Sequence, residues 1–395
     1  MSTLVPDSEP IVPTGMAEAD RCLGGGLVPG SVTLLGGEPG VGKSTLTMLL
    51  AAARVRAGGR VLLVSAEESS SQVRLRAERL GAVLDELWLA GDASVEAIVA
   101  HVDRLQPDLL IVDSVQTVHL TSDGGAPGSV GQVRGCAQRL VTEAKARGLA
   151  TLLVGHVTKD GSLAGPKLLE HVVDTVVELT GDRHHALRML RVVKHRFGPS
   201  DETGLFEMRC DGLWSVEDPS RLFLADRATG VAGSVVLPTL EGHRPLLVEI
   251  QALVDSGGPS PRRLSVGLDK DRLAMLLAVL HRHAGVACMD QDVFVNAVGG
   301  VRISEPAADL AVMLSITSSL RGKALPRGFL AFGEVGLAGE VRPAPRGQER
   351  LKEAAKLGFS VAVVPKANAP KKPIEGLTIH AVERVEEAMD VVRGL

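Results

Sequence analysis

The sequence has no tyrosine and two tryptophans, and aromatic residues make up 2% of it. That scarcity argues against stacking of bases on aromatic platforms as a main mode of contact with nucleic acid, and leaves phosphate neutralisation by Lys and Arg as the alternative. The four cysteines, Cys22, Cys136, Cys210 and Cys288, lie far apart and form no CxxC pair. Neither a disulfide framework nor a zinc site is supported, and isolated buried thiols are expected. A net charge of -4 gives no global attraction to polyanions, so any such attraction must come from a local patch. Apolar runs such as LAMLLAVL (Leu273–Leu280) are too short to span a bilayer. The opening residues carry neither a basic stretch nor an apolar one, so a secretory signal is not expected and the chain reads as cytoplasmic.

What is present is the composition of a globular protein, 45% hydrophobic and 23% charged. A chain of 395 residues is long for a single core, so two domains are expected. Residues 1–13 read as a disordered leader. From Thr14 to about 217, short β-rich apolar runs alternate with helical stretches: VTLLG, RVLLVS, DLLIVDS, ATLLVGH and DTVVEL, with helices such as Ser44–Arg56 and Val130–Arg147 between most of them. Continuous apolar strands separated by helices predict an α/β fold with a mainly parallel sheet covered on both faces. VEDPSR (Val216–Arg221) reads as a linker. Beyond it, over 218–395, paired strands, single helices, a strand FLAFGEV (Phe329–Val335) and an acidic C-terminal helix predict a separate α+β domain.

Four segments carry chemistry. GEPGVGKS (Gly37–Ser44) fits G-x-x-x-x-G-K-[ST] in full, between a strand and a helix. Gly37, Glu38, Pro39, Gly40, Val41, Gly42, Lys43, Ser44 and Thr45 would cradle the phosphates of ATP with main-chain N–H groups and a helix N-terminus. Lys43 would reach the β and γ phosphates, and the Ser44 hydroxyl would ligate Mg²⁺. Asp113, closing LLIVDS, suits the water shell of the same Mg²⁺, although an Asp after a strand also serves as a cap. Glu67 and Glu68, in VSAEES, are alternative carboxylates for orienting an attacking water. His156, in GHVTKDG, would face the crevice as a γ-phosphate sensor. Lys159, in the same loop, is a candidate DNA contact, with Arg134, Lys167, Arg262 and Arg263 as further DNA candidates.

Several longer motifs resemble the RadA (Sms) family of DNA repair and recombination ATPases. They are Thr14–Thr45, APGSVGQVR (Ala126–Arg134), KHRFG (Lys194–Gly198), PRRLSVGLD (Pro261–Asp269), EPAADLAV (Glu305–Val312) and GEVGLAGEVRP (Gly333–Pro343). The resemblance covers nearly the whole chain. It implies a RecA-like P-loop core, a C-terminal Lon-protease-like (ribosomal S5-like) domain, and ATP with Mg²⁺ as substrate and cofactor. It also implies a homo-hexamer ring driving branch migration on single-stranded DNA, with recombinase or replication proteins as further partners and no membrane. It would make Glu67 the water-activating acid. It would place Lys194 and Arg196 in the family's KNRFG motif, which reaches the nucleotide of the neighbouring subunit.

Three departures stand out. The family's N-terminal four-cysteine zinc finger has no counterpart ahead of Cys22, so no zinc is expected. His195 replaces the motif's Asn. Ala307 stands where a Lon protease carries its nucleophilic serine, and Gln348 falls near its lysine, which leaves no dyad for acyl transfer. An ATP-gated assembly or signalling ATPase without translocation is the alternative reading.

Overall fold

A computed structural model describes residues 11–122, 125–156, 166–181, 186–225, 227–228, 230–258 and 260–395. The chain divides into two compact units, Met1–Glu217 and Asp218–Leu395.

The first unit runs α1 (Ala17–Cys22), β1 (Val32–Gly37), α2 (Lys43–Arg56), β2 (Val61–Ser65), α3 (Ser70–Arg79), β3 (Leu87–Ala90), α4 (Val95–Leu105), β4 (Leu109–Asp113), α5 (Val130–Arg147), β5 (Ala150–Val154), α6 (Pro166–Leu169), β6 (Thr175–Thr180), β7 (Leu187–His195), β8 (Thr203–Arg209) and β9 (Gly212–Ser215). Its nine strands form one sheet in the order β3-β2-β4-β5-β1-β6-β7-β8-β9. β3 through β6 are parallel, and β7, β8 and β9 continue the sheet antiparallel.

The reason for the apolar runs is visible in the core. Leu35, Leu63 and Ile111 pack on one face with residues of α1, α2 and α3. Their strand neighbours Leu34, Leu62 and Leu110 pack on the other face with α4 and α5. Successive side chains of a strand point to opposite faces, so a sheet buried on both sides needs apolar residues at every position. Each fully buried Leu or Ile contributes roughly 1.5–3 kcal/mol against exposure. α3, α4 and α5 begin on side-chain caps: Ser69 and Gln72 form a capping box at α3, Ser94 caps α4 and Ser129 caps α5. This is the expected α/β architecture, a RecA-like P-loop core.

The second unit runs α7 (Pro219–Leu224), β10 (Ser234–Glu241), β11 (Arg244–Ser256), β12 (Arg263–Val266), α8 (Lys270–Ala284), β13 (Gln291–Ala297), a 3₁₀ turn (Pro306–Ala308), α9 (Asp309–Arg321), β14 (Phe329–Ala331), β15 (Glu334–Val335), β16 (Val341–Arg342), α10 (Gly347–Lys356), β17 (Val361–Pro365), a second 3₁₀ turn (Lys366–Asn368), β18 (Thr378–Val382) and α11 (Val385–Gly394). Seven strands make a mixed sheet, β12-β13-β11-β10-β14-β17-β18. α9, buried along Leu310, Met313, Leu314 and Ile316, packs against β10 and β11. The unit is α+β, as expected.

Three expectations need correction. Val12 pairs with Leu27 in an isolated bridge, so ordered structure begins within the expected leader. The expected linker Val216–Arg221 contains the start of α7, whose N-cap Asp218 accepts from Arg221 N–H and whose first turn carries Pro219. FLAFGEV, read as one strand, is split into β14 and β15, because Gly333 at φ +153 breaks the run.

Candidate functional site

The carboxyl ends of β1, β2, β4 and β5 meet in one crevice, because parallel strands in register end together. Asp113 lies opposite Ser65 of β2 on one side and Val154 of β5 on the other, and Val154 lies opposite Leu35 of β1. In open parallel sheets this edge is where ligands bind.

β1 runs into the glycine-rich loop and the loop into α2. Gly37 sits at φ +152, where a Cβ would lie 2.5 Å from the Leu179 carbonyl oxygen. Gly42, the N-cap of α2, sits at φ +116 with Met208 Cε 2.6 Å from a built Cβ. Neither position accepts a side chain, so the main chain of Gly37–Ser44 keeps its turns and α2 presents its N-terminal amides at the loop.

Lys43 is 4% exposed. Its Nζ donates to the carbonyls of Gly37 (2.8 Å) and Glu38 (3.0 Å). Burial lowers its pKa, opposed by attraction from Asp113 and Glu67. Asp113 is buried as well. Burial pushes its carboxyl up, a hydrogen bond from Ser44 opposes this, and the charge of Glu67 adds to the rise. A hydroxyl and a carboxylate side by side form a hard-oxygen donor pair suited to a hydrated Mg²⁺.

Glu67, past the end of β2, accepts from Ser114 Oγ at 2.6 Å. His156 Nε2 lies 3.1 and 3.3 Å from the two Glu67 carboxylate oxygens. A carboxylate only accepts, so Nε2 carries the proton. Among the described residues, His156 Nδ1 is buried without a partner. Glu68 instead pairs with Arg76 of α3 at 2.5 Å. The fold therefore separates two adjacent acids that sequence reasoning left as alternatives.

Three residues of the cluster escaped sequence reasoning. Ser114 holds Glu67, Arg76 holds Glu68, and Gln116 Nε2 donates to the His156 carbonyl at 3.5 Å. The hydroxyl directly after Asp113 was a readable signal for the first. Nothing in the sequence marked the other two.

Known proteins resemble the chain in sequence. An AAA domain family model matches residues 16–162. The chain is 53% identical over 383 residues to the DNA repair protein RadA of Pseudomonas aeruginosa, covering 96% of this chain and 84% of that protein. It is 52% identical over 379 residues to that of Escherichia coli, covering 96% and 82%, and 45% identical over 392 residues to that of Bacillus subtilis, covering 98% and 85%. The chain belongs to the RadA family of DNA repair proteins. With the AAA domain match, it carries the ATPase module of that family.

The other residues of interest in this RadA family member lie elsewhere. Lys194 Nζ donates to the carbonyls of Glu170 (2.5 Å) and Val173 (2.8 Å), and Arg196 donates to Asp174 Oδ1 at 2.8 Å. Burial and the neighbouring Arg196 lower the Lys194 pKa. Asp174 Oδ2 in turn accepts from Val32 N–H at the start of β1. These cations therefore sit at the opposite end of β1 from the phosphate loop. Five strand steps of about 3.3 Å separate the two ends by about 17 Å. His195 Nδ1 lies 3.1 Å from Thr175 Oγ1.

Arg134 is exposed on α5. Lys159 and the side chain of Lys167 lie outside the described residues. Arg262 pairs with Asp292 at 2.7 Å and covers the Phe294 ring at 5.4 Å, and Arg263 donates to the Met289 carbonyl at 2.9 Å. Ala307 is buried, and exposed Gln348 donates to the Asn368 carbonyl at 3.1 Å, so neither position holds a nucleophile or base. Among the described residues, no helix is long and apolar enough to cross a membrane.

Proposed function

We propose that the chain hydrolyses ATP at the crevice of the first unit and couples hydrolysis to movement on single-stranded DNA, as a homo-hexameric ring acting on recombination intermediates. The observation that carries this reading is the convergence of Lys43, Asp113, Glu67 and His156 on a glycine-rich loop at the parallel strand ends, in a member of a DNA repair family. The amides of Gly37–Ser44 would grip the phosphates. Lys43 would exchange its two carbonyl partners for phosphate oxygens, a step made easier by an ammonium already buried beside the loop. Ser44 and Asp113 would hold Mg²⁺, whose charge neutralises the polyphosphate when bound. Glu67, held by Ser114 and His156, would orient the attacking water, and His156 would register the γ-phosphate through the same bond.

Lys194 and Arg196 lie too far from their own phosphate loop to touch its nucleotide, which supports their acting on the nucleotide of a neighbouring copy. A cation supplied in this way is worth about 10³–10⁵ in rate in related phosphoryl transfers. The second unit, with Ala307 and Gln348, would serve as a non-proteolytic Lon-like platform for assembly and DNA. Arg134, Lys159, Lys167, Arg262 and Arg263 would supply phosphate contacts.

The test is ATP turnover with and without single-stranded DNA, on the native chain and on Lys43→Ala. Turnover should rise with DNA and fall by about 10²-fold or more in Lys43→Ala, with the fold intact by circular dichroism. Normal turnover in Lys43→Ala would overturn the site. Equal turnover with and without DNA would favour an ATP-gated assembly protein instead.

A further inference from the structure

An opening for a second partner lies within the second unit and is independent of the nucleotide site. Among the described residues, β12 is the edge strand of its sheet and pairs only with β13. Val293 N–H donates to the Arg262 carbonyl at 2.9 Å. In a parallel ladder with this register, the main-chain groups of Arg262, Leu264 and Val266 turn toward β13, and those of Arg263 and Ser265 turn outward. The chain already uses the next outward position, since Ile303 N–H donates to the Gly267 carbonyl at 2.8 Å. The remaining edge is a template for one more strand.

Both faces of this edge carry cavities. On one face Leu264 and Val266 are 54% and 53% exposed, and Leu253 is 60% exposed. Leu253, Phe294 and Leu264 stand in one row across three strands. They border a cavity of about 280 Å³. On the other face Ser265 opens onto a cavity of about 260 Å³ walled by Met275, Leu276, Val295 and Ile303. A single extended segment added to β12 would send alternate side chains to opposite faces, one into each cavity. A flat surface or a helix would fill only one. Charge adds a direction. Arg262 at the amino end of β12 is already paired with Asp292, whereas its neighbour Arg263 has no acidic partner among the described residues and its Nε is buried without a partner. The complementary segment carries an acid at that end.

We propose that β12 is a docking edge for an extended peptide segment of a protein partner, with apolar side chains at consecutive positions, one for each face, and an acidic residue beside Arg263. The test starts from phage-displayed random octapeptides selected on the immobilised full chain, with one enriched sequence synthesised and labelled for anisotropy. Enriched sequences should carry apolar residues at consecutive positions and an acid at one end. Leu264→Asp should weaken binding 10-fold or more. Ser265→Pro should do the same while leaving the fold intact, because the Ser265 N–H points away from β13. As a check on the native chain, N-methylation of alternate peptide amides should abolish binding in one register and spare it in the other.

No enrichment, binding indifferent to Leu264→Asp, or binding indifferent to N-methylation in both registers would overturn the proposal. Self-association that Leu264→Asp dissolves, without peptide enrichment, would also overturn it and assign the face to a second copy of the chain.

Discussion

Lys43 and Asp113 are each buried at a cost, and the signs of their shifts say when that cost is felt. A carboxyl whose pKa is raised on folding costs nothing below its unfolded value of 3.8. The cost grows as pH rises and is complete above the folded value. An ammonium with a lowered pKa costs stability below its folded value, and the cost disappears above its unfolded value. The site is therefore strained in both charges until phosphate and cation enter. Replacing Asp113 by Asn should raise the melting temperature of the nucleotide-free chain at pH 7 by roughly 2–4 °C, with the lost attraction to Lys43 holding the gain down. The difference should shrink as pH falls toward 3.8, and Mg²⁺-dependent turnover should be lost. A lower melting temperature at pH 7 would refute the strain.

Ser114 makes a second residue-level claim. Its hydroxyl is, among the described residues, one of two donors that orient Glu67. Ser114→Ala should lower kcat for ATP by about 10-fold with KM little changed, as expected when a positioning bond of about 1.4 kcal/mol is lost from the transition state alone. An unchanged kcat would remove Ser114 from the machinery.

At the scale of elements, the phosphate loop shows how a backbone constraint becomes a site. Gly42→Ala places a Cβ at φ +116 against Met208 Cε. The flexible Met208 end can yield, so the cost is that of the left-handed backbone, about 1–2 kcal/mol, and nucleotide binding should weaken because the entry to α2 must adjust. Gly58, at φ +88, has nothing within 4 Å of a built Cβ. Gly58→Ala should cost only the backbone preference, about 1 kcal/mol, and leave nucleotide binding unchanged. Equal effects on binding in a fluorescent-nucleotide titration would contradict the role of the loop geometry.

The same contrast explains what was legible in the sequence. β1, β2, β4 and β5 are buried on both faces and write themselves as unbroken apolar runs, and α5 announces itself with Ser129 and ends on Gly148. β3 and β12 are four residues long and partly exposed, too short to show a period. The six-residue α7 was missed for the same reason, although Asp218 and Pro219 marked its start. Asp113 and Lys43 could be read from spacing along the chain. Ser114, Gln116 and Arg76 could not be assigned to partners, because their contacts depend on which strands lie side by side.

At the scale of the whole molecule, the placement of Lys194 and Arg196 makes the strongest demand. They are anchored to Glu170, Val173 and Asp174 at the start of β1, while the phosphate loop is at its end. A cation held there contributes to phosphoryl transfer only if another copy of the chain brings its own phosphate loop to it. Arg196→Ala should then be nearly inactive although its own phosphate loop is complete, and Lys43→Ala nearly inactive although its Arg196 is intact. Co-assembled in equal amounts, the two should regain turnover. An Arg196→Ala subunit can receive the missing guanidinium from a Lys43→Ala neighbour, whereas a Lys43→Ala subunit stays silent beside any partner. With random mixing around a ring, half of the sites carry a competent loop, and half of those face an intact Arg196. The mixture should therefore approach about one quarter of native turnover, against near zero for either variant alone. The mixture is assayed for ATP turnover after dissociation and reassembly, with unmixed variants treated identically. If it shows only the mean of its two components, the arginine acts within its own chain or not at all, and the coupling of hydrolysis to assembly would have to be sought elsewhere in the fold.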